Sequence, residues 1–271
     1  MTTNLESSVL DQQSPAREFH QRGFLIVRNA LSAGQLLFLN RAVDRDLAGH
    51  GEEWVRFDES LIETPDVISR CADFDLAIEN PTTLAILRSL IGELITFEEF
   101  EVMIRNPTIK TQDIKAWHRD ATRDYNRRME IEYVSLVYYL TDVSATDHCL
   151  SIIPGSHFGL VDLKPTEVTP GSEFNVIGPA GTAVIFDGRC IHAGKLKPGS
   201  RQRRTLYIYY ARSDQARYTE WTDIPPRLYQ KIDPLLFPQV SLQPSRVEPT
   251  FGGVSSRTPP LRESLAVLLD P

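Results

Sequence analysis

The sequence predicts a mainly β fold with flanking α-helices, built on a double-stranded β-helix core of the jelly-roll, cupin-like kind. Three observations carry this. From Leu94 to Tyr210 the pattern is strand-like, with Pro and Gly between short apolar runs. Helical patterns are confined to the portion before it, and a helical lead-in to an antiparallel strand series suits a jelly roll. The length of 271 residues is enough for a substantial core, and barrels of this size often form one domain.

Each element has a local reason. Arg17–Gln21 reads as the end of a short helix, broken at Gly23 before a strand over Phe24–Arg28. Ser32 is placed to cap a helix over Ala33–Leu47, in which Leu36, Leu39, Val43 and Leu47 form one apolar stripe. Pro81 suits the first turn of a helix running to Leu90, with Gly92 at its C-terminal end. Among the strands, Val134–Leu140 and Thr205–Tyr210 are the most apolar runs, and no internal repeat is evident. From Trp221 onward stand nine of the chain's 18 prolines. A jelly roll does not need that segment to close. Residues 1–220 are therefore expected to form the domain, N-terminal helices included. Residues 221–271 are expected to pack on or cover it, with a partner surface or partial disorder as alternatives. Arg262–Leu269 has enough Leu and Ala for a short terminal helix.

Composition excludes several classes. Hydrophobic content of 41% and charged content of 24% describe an ordinary globular chain. A net charge of −7 gives no basic footprint for nucleic acid. No apolar run approaches the roughly 20 residues that span a bilayer. The polar stretch Met1–Gln13 lacks the order of a signal peptide, and Leu269-Asp270-Pro271 is no peroxisomal address, so cytoplasm is the expected compartment. Cys71, Cys149 and Cys190 are too few and too irregularly spaced for a disulfide framework.

The chemistry concentrates at Trp117-His118-Arg119-Asp120 and His192. In an extended strand, side chains two apart share a face, so His118 and Asp120 can converge on one ion, with His192 as a third ligand 72 positions after Asp120. Two imidazoles and one carboxylate suit Fe(II), and three ligands leave positions open for a co-substrate and O2. Cys190, two residues before His192, would share its face by alternation; a small buried residue beside the metal is the simpler reading, a ligand or redox role the sharper one.

An ordered series follows this motif: the run Val134–Leu140, then Ile152-Ile153-Pro154-Gly155-Ser156-His157, then Gly181–His192, then Arg203, 11 residues past His192 and opening another strand. Order and spacing resemble the phytanoyl-CoA dioxygenase family of Fe(II)- and 2-oxoglutarate-dependent oxygenases, from about Arg17 to about Arg212, with Gly23–Asn29 similar to the opening strand of such domains. The resemblance implies that His118, Asp120 and His192 hold iron and that Arg203 holds the distal carboxylate of 2-oxoglutarate, where a guanidinium fork fixes direction as well as charge. Arg204 is the rival on the opposite strand face. The implied reaction is most commonly hydroxylation of a C–H bond in a small molecule, with release of succinate and CO2. Asp120 argues against chlorination, since related halogenases lack that carboxylate; desaturation, epoxidation and ring formation stay open.

Other residues weigh less. His157 reads as a turn residue, and His148 stands where many relatives have Gly, which alters the local turn. His20 and His50 read as surface or packing residues. Arg119 replaces a Gln common in relatives and points away from the metal by alternation; a cation at the surface or just behind the ligands is the simpler reading. With Lys115, Arg123, Arg127 and Arg128 it makes a positive segment that suits an anionic substrate, unless Glu130, Glu132 and the run Glu98–Glu101 neutralise it. Two other classes compete: a cupin metalloenzyme that does not use 2-oxoglutarate, and a non-catalytic binding barrel.

Overall fold

The structure is a computed structural model that describes residues 15–93, 95–109, 117–121, 131–158, 167–198, 201–212 and 224–229, with short pieces at 250–251 and 254–255. Helix α1 (Pro15–Arg22) leads into strand β1 (Phe24–Val27), and α2 (Ala33–Gly49) follows. After the short strands β2 (Val55–Arg56) and β3 (Leu61–Thr64) come the one-turn helices α3 (Val67–Arg70) and α4 (Asp75–Ile78), then α5 (Pro81–Ile91). Strands dominate from there: β4 (Ile95–Arg105), β5 (Tyr133–Tyr139), β6 (Cys149–Ile152), β7 (Phe174–Val176), β8 (Ala183–Asp187), β9 (His192–Lys195) and β10 (Arg203–Arg212), before α6 (Pro226–Tyr229).

Two antiparallel sheets form the jelly roll. The larger has seven strands in the order β1-β8-β5-β10-β4-β3-β2, the smaller three in the order β7-β6-β9. Two apolar clusters divide the faces of the large sheet. Phe24, Val137, Tyr139, Val184, Phe186, Tyr207 and Tyr209 pack inward with Leu150, Ile152 and Val176 of the small sheet. Phe100, Leu136, Ile185, Leu206, Ile208 and Tyr210 pack outward against helix residues such as Leu39, Val43 and Leu87. Strand alternation thus sorts β10 cleanly: odd-numbered residues face the interior between the sheets, even-numbered residues face the helices. A register shift opposite Tyr209 and Tyr210 makes Glu98 an extra residue on β4, so that both Phe97 and Phe100 face outward.

The caps explain the helix boundaries. Ser32 Oγ accepts from the Gln35 amide (3.3 Å) while Gln35 Oε1 accepts from the Ser32 amide (2.8 Å), a reciprocal cap. Asn80 Oδ1 accepts from Thr82 and Thr83 amides before Pro81, and Gly92 ends α5 at φ 101°. On α2 the expected stripe packs on the core, Leu39 and Val43 buried and Leu36 and Leu47 partly so, and Asp46 is buried beside it, its carboxylate accepting from Trp54 Nε1 (2.9 Å) and from Arg70 Nε and Nη2 (2.8 Å each). The one-turn helices between residues 67 and 78 had no periodic signal, because four residues are too few to repeat. Gly23 is required where it stands: it has φ +82°, and a Cβ there would overlap Cys190 Sγ and His157 Nδ1.

Among the described residues, no helix is long and apolar enough to cross a membrane. From the Pro-rich segment, Leu228 is buried and Arg227 pairs with Asp75 (2.9 Å). The expected helix over Arg262–Leu269 lies outside the described residues.

Candidate metal centre

Three separate stretches of chain meet at one point. The segment 117–121 is a single bridge rather than the full strand expected: His118 N donates to His192 O (3.0 Å) and His192 N to His118 O (2.9 Å). Ala121 N donates to Gly188 O (2.9 Å), which anchors the far end of the segment. His192 opens β9, held in register against Ile152 of β6. Ser135 on β5 donates from Oγ to Asp120 Oδ2 (2.6 Å) and so orients the carboxylate.

The ligand atoms of His118, Asp120 and His192 all lie within 4.8 Å of one another. Asp120 Oδ1 is 3.3 Å from His192 Nε2 and 3.6 Å from His118 Nε2. Bonds of about 2.0–2.2 Å to a divalent ion put neighbouring ligand atoms about 3 Å apart, so the spacing fits an ion with small adjustment. His192 Nδ1 lies 3.1 Å from the Cys190 carbonyl; a carbonyl can only accept, so Nδ1 carries the proton and Nε2 presents its lone pair. Asp120 Oδ1, buried, accepts no hydrogen bond. A buried carboxylate oxygen without a hydrogen-bond donor, facing two imidazole nitrogens, is a ligand set that fits a cation. Burial opposes ionisation of Asp120, but His192, then His118 and the Ser135 hydroxyl, outweigh it and hold the carboxyl below its usual range. His192 is pushed the other way: burial lowers its pKa, and the Asp120 charge more than reverses this. Phe186 packs a ring 4.7 Å from the His192 ring and shields it.

Arg203 lies on the inner face of β10 and is 2% exposed. Its Nε has no hydrogen-bond partner, and Nη2 meets Met103 Sδ at 3.8 Å. A guanidinium buried on these terms calls for an anion. Arg105, opposite it in register, is already occupied, with Nη1 donating to Ser60 Oγ (2.9 Å) and Asp58 Oδ2 (3.2 Å). Burial and the nearby Arg203 lower the Arg105 pKa, and Asp58 offsets part of this. Arg204 is on the other face, where Nε donates to Gln202 Oε1 (2.7 Å) and Nη1 pairs with Asp44 of α2 (2.7 Å). Its charge is spent on holding a helix.

Several expectations resolve against this geometry. Cys190 does not join the ligand atoms: its thiol donates to the Gly23 carbonyl (3.3 Å), because residues 188–191 form a turn and β9 starts only at His192. His157 donates from Nε2 to His20 O (2.9 Å), within the turn after Pro154-Gly155. His148 is buried, with Nδ1 accepting from Lys197 N (3.0 Å) and Nε2 donating to Asn106 O (3.1 Å). Arg119 points away from the ligands and donates to the carbonyls of Ser156 (2.8 Å) and Arg189. It is therefore not part of a positive substrate wall, and Lys115, Arg123, Arg127, Arg128 and Glu130 lie outside the described residues. Ser135 was not foreseen as a partner of Asp120; its position inside an apolar strand run was the available signal. Nor was the approach of Glu63 on β3 to Glu101 on β4: burial, then the neighbouring Glu63, raise Glu101 well above the usual carboxylate range.

The chain is similar to several known proteins. A dioxygenase of Aspergillus fumigatus, af480, is 25% identical over 164 residues, 58% of this chain and 51% of that protein, so the chain spans about half the length of that relative. A probable alpha-ketoglutarate-dependent hypophosphite dioxygenase of Stutzerimonas stutzeri is 21% identical over 227 residues, 73% of this chain and 78% of that protein. The epimerase SnoN, solved with Fe3+, alpha ketoglutarate and nogalamycin RO, superposes with a TM-score of 0.63 at 21% identity over 81% of this chain and 91% of its own. HygX from Streptomyces hygroscopicus, solved with nickel and 2-oxoglutarate, gives 0.61 at 16% identity over 73% and 86%. At these identities the two structures speak for the jelly-roll fold. The phytanoyl-CoA dioxygenase (PhyH) family model matches residues 19–205, most of the chain, and the chain belongs to that family.

Proposed function

We propose that this chain is an Fe(II)- and 2-oxoglutarate-dependent dioxygenase that hydroxylates an unactivated C–H bond of a small molecule. The observation that carries the reading is the buried Asp120 Oδ1, without a hydrogen bond and facing Nε2 of both His118 and His192. His118, Asp120 and His192 would hold the metal by three positions and leave the rest for exchangeable ligands. Arg203, buried on the same inner sheet face, would fix the distal carboxylate of 2-oxoglutarate by a two-point contact. Ser135 keeps Asp120 in one rotamer, the Cys190 carbonyl keeps His192 in the ligating tautomer, and Phe186 excludes water from one side. Bound iron with 2-oxoglutarate and O2 would supply the oxidation, yielding succinate and CO2.

A cupin metalloenzyme working without 2-oxoglutarate is the competing reading, and the buried Arg203 favours the oxygenase, since that rival gives the guanidinium no task. Hydroxylation is the proposed outcome, although on the same fold SnoN is an epimerase and SnoK a carbocyclase. An anionic substrate has no support among the described residues once Arg119 is engaged elsewhere. We further propose residues 1–220 as the oxygenase domain and 221–271 as a segment packed on it, as the Arg227–Asp75 pair suggests. The test is O2-dependent conversion of 2-oxoglutarate to succinate with added Fe(II) and ascorbate, followed by a metabolite screen for mass gain of one oxygen. No succinate under any of these conditions would refute the reading.

A further inference from the structure

Two discontinuous segments, 117–121 and 188–192, carry the triad, and a third, 153–156, is bonded to the second. Residues 117–121 bond to His192 and Gly188, and Ile153 N donates to Ile191 O (2.9 Å). Ser156 Oγ adds a second tie, donating to Ile153 O (2.7 Å) and accepting from Ile191 N (2.8 Å). One side chain touches all three segments. Arg119 stands between His118 and Asp120, and alternation turns it to the back of the centre. There its Nη1 donates to the carbonyl of Ser156, in the Pro-Gly-Ser-His turn, and to that of Arg189, in the turn that delivers His192. Burial, its largest influence, lowers the Arg119 pKa, as expected for a guanidinium withdrawn from water.

We propose that Arg119 is the positioning residue of the metal centre: by clamping the Ser156 and Arg189 carbonyls from behind, it sets the separation between the His118–Asp120 pair and His192. This rests on the triad being a metal site. The His118–His192 bridge and the Ala121–Gly188 bond tie the two ligand segments to each other, but neither reaches the turn at Ser156. Arg119 joins that turn and the Arg189 turn through one side chain, a further attachment on the side away from the ligands. A planar guanidinium reaches two carbonyls at a fixed angle, which a flexible chain ending in one donor does less well. The turn bearing Arg189 is stiff enough to transmit the constraint, since Arg189 is itself tied to Asp187 through Nε (2.8 Å) and its amide (2.9 Å).

The experiment titrates the full-length protein with Co(II) under argon and follows affinity and the visible d–d bands. The wild type should bind one Co(II), and His118→Ala should not. Arg119→Met should bind Co(II) at least tenfold more weakly, with a changed band pattern. Arg119→Lys should recover part of both, because an ammonium still donates to carbonyls. Should the Met variant not fold, Arg119→Gln serves in its place. Arg227→Met breaks the pair with Asp75, away from the centre, and controls for general destabilisation. Wild-type affinity and spectrum in Arg119→Met, or an equal loss in Arg227→Met, would overturn the proposal. A wild type that takes no Co(II), or takes it equally well in His118→Ala, would overturn the metal reading beneath it.

Discussion

Replacing Arg203 should move ligand affinity and fold stability in opposite directions. The side chain is 2% exposed, and its Nε has no hydrogen-bond partner, so the guanidinium is desolvated without full compensation before any ligand arrives. A two-point, charge-assisted contact to a desolvated carboxylate is worth about 2–5 kcal/mol when one partner is removed. At about 1.4 kcal/mol per decade, Arg203→Met should weaken 2-oxoglutarate binding by roughly thirty-fold to several thousand-fold. The same change replaces a buried cation by an apolar chain of similar length next to Met103, and should leave the ligand-free fold unchanged or more stable by about 1–3 kcal/mol. Arg203→Lys should restore only part of the affinity, because the ammonium keeps the charge and loses the fork. Arg204→Ala should do the reverse of Arg203→Met: it frees Asp44 of α2 and costs about 0.5–1 kcal/mol of stability, with little effect on the ligand. Anaerobic titration of 2-oxoglutarate into the Fe(II) form, followed by its weak visible charge-transfer band, gives the affinities, and urea denaturation gives the stabilities. An unchanged affinity in Arg203→Met beside a large loss in Arg204→Ala would refute the assignment. A loss of stability in Arg203→Met comparable to its loss of affinity would show that the guanidinium is structural.

Three further outcomes follow from other parts of the molecule. Single alanine replacements of His118, Asp120 and His192 should each lose Fe(II) affinity and turnover while keeping a cooperative melt; normal turnover in any two would sink the iron assignment. Asp46→Ala should cost about 3–5 kcal/mol by denaturant unfolding, because it strands the half-buried Arg70 guanidinium and the Trp54 indole N–H; a cost below 1 kcal/mol would mean that water replaces the carboxylate. Asp147 is subject to burial, which would raise its pKa, but hydrogen bonds from Arg201 and Ser144 hold it well below the carboxylate range. Its folded-state pKa being depressed, it contributes stability that is full above the unfolded value of about 4 and is lost as pH falls toward the folded value. Melting temperatures between pH 7 and pH 2 should therefore fall less steeply below pH 4 in Asp147→Asn than in the wild type, and parallel curves would exclude this contribution.

Local chemistry made much of this protein legible from its sequence. The α2 cap at Ser32, the α5 limits at Asn80–Pro81 and Gly92, and strand alternation at Arg203 and Arg204 are set within a few residues, where capping geometry and a period of two decide the outcome. The triad and its family were legible for a similar reason, since His118-x-Asp120 is a local motif and the family constrains the spacing to His192 and Arg203. What only the tertiary structure decided involves partners distant in the chain. Asp46 is buried beside an apolar stripe because Trp54 and Arg70 are brought to it, and no pattern within α2 could say so. Cys190 lies off the metal because a turn intervenes before β9 and delivers its thiol to Gly23, 167 residues away. Arg119 reads from the sequence as a cation turned away from the metal, at the surface or just behind the ligands, and only folding shows that the carbonyls of Ser156 and Arg189 meet it. Alternation tells which way a side chain points; what it meets there depends on which other strands the chain has folded alongside.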